Sequence, residues 1–270
     1  MGYQHGLFSW SDVSAPDPAA ATAFYAALFD WDAKDEQMPD GSFMYTMFSM
    51  DGKATAGLGQ QPAEMAAQGI PPMWNSYVSV DSVDETVEKW TGAGGTVMMP
   101  AMDVMTSGRM AFVVDPEGAY VGLWQAGDHL GAGVFHKPGA MNWNELSTRN
   151  AAGAREFYGK ALGWTFEEFP GSDPSYWLIT MPDKKQGDPL SEDAYNGGFM
   201  TMDDNFPDTI PPHWGVYFGV TDTDAVAAKA TELGGNIVVP AVDTPVGRIC
   251  VVSDPQGGTF SIIAPPAEQS

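Results

Sequence analysis

Apolar and polar positions along the chain fall into short, regular runs. Residues 7–14 alternate in the manner of a strand. Asp17-Pro18 then opens a segment whose apolar residues Ala20, Phe24 and Leu28 recur every four positions, which predicts a helix over 19–28. Strand-like runs follow at 43–49 and 54–59. A second set begins with a strand from Trp74 to Val80. It continues with a helix from Val83 to Trp90, stopped by Gly92 and Gly94-Gly95, and closes with strands at 96–99, 110–114 and 119–125. Asp115-Pro116-Glu117-Gly118 supplies the turn between the last two strands. Each set predicts a β-α-β-β-β module.

The whole pattern is written twice. Phe8-Ser-Trp10-Ser-Asp12-Val-Ser14 aligns with Met141-Asn-Trp143-Asn-Glu145-Leu-Ser147, and Phe24-Tyr25 and Trp31 align with Phe157-Tyr158 and Trp164. After a longer loop in the second half, Lys184 to Gly198, Pro71-Pro72-Met-Trp74 matches Pro211-Pro212-His-Trp214. Gly108-Arg109 matches Gly247-Arg248, and Asp115-Pro116-Glu-Gly118 matches Asp254-Pro255-Gln-Gly257. So many ordered matches predict tandem repeats, residues 1–128 and 139–270, joined by a linker over 129–138. The fold class is α+β, with four β-α-β-β-β modules.

Strand parity then separates two faces. The helix-covered face should hold Val13, Val78, Val80, Val121 and Leu123, and in the second repeat Leu146, Val216, Phe218, Val220, Phe260 and Ile262. The opposite face holds Trp10, Asp12, Asn75, Tyr77, Tyr120 and Trp124, with Trp143, Glu145, Tyr217 and Ser261 in the second repeat. An aromatic and polar wall of this kind suits a small organic ligand.

Composition removes other classes of partner. Lys and Arg number 12 against 35 Asp and Glu, a formal charge of −23. Such a surface repels nucleic-acid phosphates and anionic membranes, so neither is expected as a partner. The N-terminus lacks the charged-then-apolar pattern of a signal peptide, which predicts a soluble, cytoplasmic protein. Cys250 is the single cysteine and is expected to be a small core residue. Arg109 and Arg248 are expected to pair with nearby acids such as Asp103 and Asp243. Met98, Met99, Met102, Met105 and Met110 read as flexible core or cavity fillers.

The strand, Asp-Pro, helix ending in Phe-Tyr and the Asp-Pro-x-Gly turn, repeated through four modules, resemble the vicinal oxygen chelate superfamily. That group includes glyoxalase I, bleomycin-resistance proteins and extradiol dioxygenases, and the resemblance spans residues 6–264. The layout is similar to actinobacterial antigen-type and hydroxylase-type members. It implies glyoxalase-like repeats, each a curved mixed sheet with helices on the outer face.

Metal-using members draw His, Gln and Glu ligands from the first strand of each module and from the closing strand. Carried over residue by residue, those positions fall on Trp10 and Trp143, Asn75 and Gly215, and Gly122 and Ser261. Trp and Gly offer no side-chain ligand, so the resemblance implies no standard metal site. A divalent metal stays open only through a shifted set using Glu145 and His213. His5, His129 and His136 lie near the N-terminus or in the linker, away from any expected site.

Asp12 and Glu145 are the candidate catalytic residues, each an acid set among aromatic rings. Burial there would raise a carboxyl's pKa and equip it as a general base. The alternative is a strand-end carboxylate held by backbone and by Ser14 or Ser147. Trp10, Asn75, Tyr77, Tyr120, Trp124, Trp143 and Tyr217 are the candidate ligand-binding residues, with the first-repeat pocket preferred. The readings left open are a metal-free small-molecule binder, a metal-dependent lyase or isomerase similar to glyoxalase I, a metal-free enzyme using either acid, and a purely structural protein. Because the chain supplies all four modules, a monomer suffices and a homodimer stays open.

Overall fold

Asp17 caps the first helix by accepting a hydrogen bond from the Ala20 N–H at 3.0 Å, and Pro18 occupies its first turn. Asn150 caps the equivalent helix of the second repeat through the Gly153 N–H at 2.9 Å. Around these starts the computed structural model, which describes residues 3–172, 175–181, 197–204 and 206–266, builds four β-α-β-β-β modules. The first comprises β1 (Phe8–Ala15), α1 (Pro18–Phe29), β2 (Asp32–Gln37), β3 (Phe43–Met50) and β4 (Lys53–Gln60). A short helix α2 (Ala63–Ala67) leads to β5 (Met73–Ser79), α3 (Val83–Gly92), β6 (Thr96–Val104), β7 (Gly108–Val114) and β8 (Tyr120–Ala126). The third holds β9 (Met141–Thr148), α4 (Ala151–Leu162), β10 (Thr165–Glu168), β11 (Tyr176–Thr180) and β12 (Gly197–Thr201). The fourth holds β13 (His213–Gly219), α5 (Thr223–Glu232), β14 (Asn236–Thr244), β15 (Gly247–Ser253) and β16 (Thr259–Ala264). The loop expected from Lys184 lies outside the described residues up to residue 196.

The chain divides into two compact units, and each takes one module from each repeat. Unit I comprises Met1–Trp10, Ser76–Gly131 and Trp143–Gly215; unit II comprises Ser11–Asn75, Ala132–Asn142 and Val216–Ser270. In unit I, β5 pairs in parallel with β8, and β9 in parallel with β12. In unit II, β1 pairs in parallel with β4, and β13 with β16. Hairpins complete each side, with β2 on β3, β6 on β7, β10 on β11 and β14 on β15.

Each unit has its own core, tied by a buried chain of hydrogen bonds. In unit II the Trp74 Nε1–H donates to the Tyr25 hydroxyl at 3.0 Å, which donates to Asp254 Oδ2 at 2.8 Å. Asp254 Oδ1 then accepts the N–H groups of Gln256 and Gly258, closing the Asp-Pro-Gln-Gly turn. Unit I repeats the arrangement with Trp214, Tyr158 and Asp115, whose Oδ1 accepts from Glu117 and Ala119. Burial and the adjoining carboxylate push both tyrosine pKa values well up, so each hydroxyl keeps its proton. The aromatic rings of Phe29, Trp31, Phe48, Phe218 and Phe260 pack around the unit II chain.

All residues assigned by parity to the helix-covered face are at most 4% exposed. Arg109 pairs with Asp103 at 2.9 Å and Arg248 with Asp243 at 3.0 Å. Each also grips an acid at the start of a helix, Asp84 or Asp224. Cys250 is buried, its Sγ against the Val239 carbonyl at 3.2 Å.

Two expectations change. The methionine run is no core filler: Met98, Met102 and Met105 are 51%, 47% and 60% exposed. They ride on or just beyond β6, which pairs with β7 alone and so has little to bury against. Strand β2 was also unforeseen, because Asp-Ala-Lys-Asp-Glu-Gln is a polar edge strand with no apolar alternation.

Tyr25→Phe removes the hydroxyl shared by Trp74 and Asp254 and leaves two buried polar groups unpartnered. Urea unfolding should register a loss of about 2–4 kcal/mol. Lys34→Ala, which breaks the exposed pair with Glu36, should cost less than about 0.5 kcal/mol. A Tyr25→Phe loss no larger than that of Lys34→Ala would show the chain to be incidental.

Candidate functional site

The candidate residues are shared between the two units. Trp10, Tyr77, Tyr120, Trp124, Trp143 and Glu145 belong to unit I, whereas Asp12, Asn75 and Tyr217 belong to unit II. The first-repeat candidates thus divide, Trp10, Tyr77, Tyr120 and Trp124 in unit I and Asp12 and Asn75 in unit II, because the compact units combine modules of different repeats.

In unit II, Asp12 lies opposite Gly57 in the β1–β4 register. The Tyr45 ring lies over Gly57, where any Cβ would collide with it. The Tyr45 hydroxyl donates to Asp12 Oδ2 at 2.9 Å, and Asn75 Nδ2 donates to Oδ1 at 2.7 Å. Both carboxylate oxygens are thus engaged by neighbouring side chains. Ser14 Oγ reaches the Met73 carbonyl at 3.5 Å. Tyr217 sits half-buried opposite Ser261.

In unit I the same plan recurs with a different donor. Glu145 lies opposite Gly198, and the Tyr176 ring covers that glycine. Here the Trp143 Nε1–H donates to the Tyr176 hydroxyl at 2.7 Å. Glu145 is 8% exposed. On β5, Tyr77 lies over Gly122, 5.4 Å from the Phe112 ring, which is 6.1 Å from Tyr120. Trp10 meets the His129 ring edge-to-face at 4.5 Å, and Trp124 meets it at 5.7 Å. The Trp124 Nε1–H donates to the His129 carbonyl at 3.0 Å.

Sequence reasoning missed three of these residues. Tyr45 and Tyr176 were legible in principle, since each alternates with Met47 or Leu178 on a strand beside a glycine-bearing neighbour. His129 was placed in the linker and set aside. In the structure the β8 strand ends in a turn whose Gly127, Asp128 and His129 N–H groups bond the carbonyls of Ser107, Thr106 and Ser107. Those bonds carry the imidazole back onto the two tryptophans. Burial lowers its pKa below the ordinary 6.5, so the ring is neutral at pH 7.

Comparison with known proteins matches residues 8–123 to the Glyoxalase/Bleomycin resistance protein/Dioxygenase superfamily and residues 144–263 to a glyoxalase-like domain. The chain belongs to that superfamily. Its vicinal oxygen chelate fold is present as two tandem domains. The glyoxylase-named protein CFP32 of Mycobacterium bovis is 41% identical over 99% of this chain and 98% of its own length. The anthracycline biosynthesis protein DnrV of Streptomyces peucetius is 35% identical over 96% and 93%. Among solved structures, the Mn(II)-bound glyoxalase from Novosphingobium aromaticivorans superposes with a TM-score of 0.63, at 13% identity, over 97% of this chain and 82% of that one. At that identity the likeness speaks for the fold.

The superfamily fold implies a divalent ion, and the residues at its ligand positions do not fit one. Gly122 lies beneath the Tyr77 ring, Asn75 turns its N–H toward Asp12, and Trp10 packs on His129. Trp143 spends its single polar group on Tyr176. For the shifted set, His213 Nδ1 lies 2.8 Å from the Pro211 carbonyl. Among the described residues no three His, Cys, Asp or Glu side chains gather to hold a metal. Among them, too, no helix is long and apolar enough to cross a membrane.

The depressed His129 pKa carries a pH signature. The unfolded chain binds its proton at about the ordinary value and the folded chain only below it, so acidification favours unfolding. Stability should fall as pH drops from 7.5 through 6.5, and level off below the folded pKa. Thermal unfolding across this range should show a shallower slope for His129→Phe than for the unmodified chain. Equal slopes would contradict the buried, neutral ring.

Proposed function

We propose that the chain binds a flat aromatic small molecule in unit I, against Trp10, Tyr77, Tyr120, Trp124 and Trp143, with Glu145 as its polar neighbour. The observation that carries this reading is that those five rings belong to one compact unit, with Trp10 and Trp124 both against the His129 ring and Tyr77 next to Phe112, which adjoins Tyr120. A wall of large, rigid rings with few polar groups favours a planar ligand through stacking and burial. The names of the relatives DnrV and DauV, anthracycline biosynthesis proteins, point the same way, since anthracyclines are fused planar ring systems. The superfamily's metal ion has no part in this reading, because the carried-over ligand positions hold Trp10, Trp143, Asn75, Gly215, Gly122 and Ser261. Asp12, with Tyr45 and Asn75 on its two oxygens, serves in unit II as a held acceptor more than as a free base.

The glyoxylase name of CFP32, at 41% identity, supports a second reading as a metal-dependent enzyme. One titration separates them. Tryptophan fluorescence should be quenched saturably by 1,8-dihydroxyanthraquinone in metal-free buffer. Trp124→Leu should weaken binding about tenfold or more, the worth of a lost aromatic contact. Absence of quenching, together with stoichiometric tight binding of manganese or nickel, would overturn the first reading and favour the second.

A further inference from the structure

Buried polar atoms are nearly always hydrogen-bonded, and an orphan costs about 1–3 kcal/mol, so each exception asks for a cause. Among the described residues the unpartnered buried atoms are Ser9 Oγ, Ser11 Oγ, Thr55 Oγ1, Gln61 Oε1 and His129 Nε2. The first four are hydroxyls and an amide oxygen. The fifth is a ring nitrogen of a side chain held against two of the tryptophans assigned to the ligand.

The position of that ring is fixed from its backbone. The His129 N–H donates to the Ser107 carbonyl at 3.0 Å, and its carbonyl accepts from Trp124 at 3.0 Å. Gly131, two residues on, has φ +113°, and a Cβ there would strike the Ser9 carbonyl. The chain is therefore pinned before, at and after the histidine. A ring placed so firmly with an open nitrogen resembles a binding group waiting for its counterpart more than a packing accident.

We infer that His129 is the polar contact of the unit I aromatic site, and that the bound molecule is an oxygenated planar aromatic whose hydroxyl or carbonyl satisfies Nε2. This rests on the binding reading proposed above. A neutral imidazole accepts from a hydroxyl in one tautomer and donates to a carbonyl in the other. A hydroxyquinone presents both groups side by side. Its oxygen ends the nitrogen's isolation.

The test pairs two probes of the same three-ring outline, 1,8-dihydroxyanthraquinone and anthracene, titrated against the full chain. The unmodified protein should bind the quinone about tenfold more tightly, the worth of one hydrogen bond to a buried partner. His129→Phe should remove that preference, so that the two probes bind with similar affinity. Independently, the ring nitrogens of His129 in the ¹⁵N spectrum of the unmodified protein should shift on saturation with the quinone. This measurement also decides the matter if the variant does not fold. A quinone preference that survives His129→Phe, or ring nitrogens that do not move, would overturn the assignment of His129 alone. Binding of neither probe would overturn the binding reading and this inference with it.

Discussion

The hydrogen-bonded sequence of tryptophan, tyrosine and aspartate at the centre of each unit is the constraint from which the rest of the architecture follows. In unit II it joins the start of β5, the middle of α1 and the turn before β16; in unit I it joins β13, α4 and the turn before β8. Every member is buried, so no water can stand in for a missing partner, and the geometry is held by the cost of leaving any group unpaired. The carboxylate has two duties. One oxygen receives the tyrosine, and the other shapes its own Asp-Pro-x-Gly turn.

That constraint also sorts the candidate residues between the units. Once helix and closing turn come from different repeats, the aromatic strand faces regroup with them. Five candidate rings and Glu145 collect in unit I, while Asp12 and its two donors collect in unit II. The motif of an acid opposite a glycine covered by a tyrosine appears in both units, as Asp12, Gly57 and Tyr45 and as Glu145, Gly198 and Tyr176. Around it the units have diverged. Unit II places an amide and a phenol directly on its carboxylate; in unit I the tyrosine over the glycine accepts from Trp143, and elsewhere in the unit His129 carries an unsatisfied nitrogen beside Trp10 and Trp124.

Much of this was legible in the residues. Two-residue alternation told the aliphatic, helix-covered face at Val13, Phe218 and Leu123 from the aromatic and polar one at Trp10, Asp12 and Tyr77, although both faces are buried. The repeat markers Tyr25, Trp74 and Asp254 were visible too. Their partnership was not, since Tyr25 pairs on paper with Asp115 or Asp254 equally well: the twin turns are nearly identical. His129 escaped for a related reason. Its place depends on a turn bonded to Thr106 and Ser107, a long-range contact that no local pattern announces. Tyr45 escaped because its strand is only partly buried and its glycine partner lies on a neighbouring strand.

The central claim is that each compact unit is built across the repeats, and a pair of double-mutant cycles addresses it directly. Tyr158 contacts Asp115 of the other repeat at 3.1 Å, not Asp254 of its own. The account predicts that Tyr158→Phe and Asp115→Asn couple by more than about 1 kcal/mol, while Tyr158→Phe and Asp254→Asn add within about 0.5 kcal/mol. Coupling to Asp254 with additivity at Asp115 would contradict it, and would mean that each repeat closes on itself.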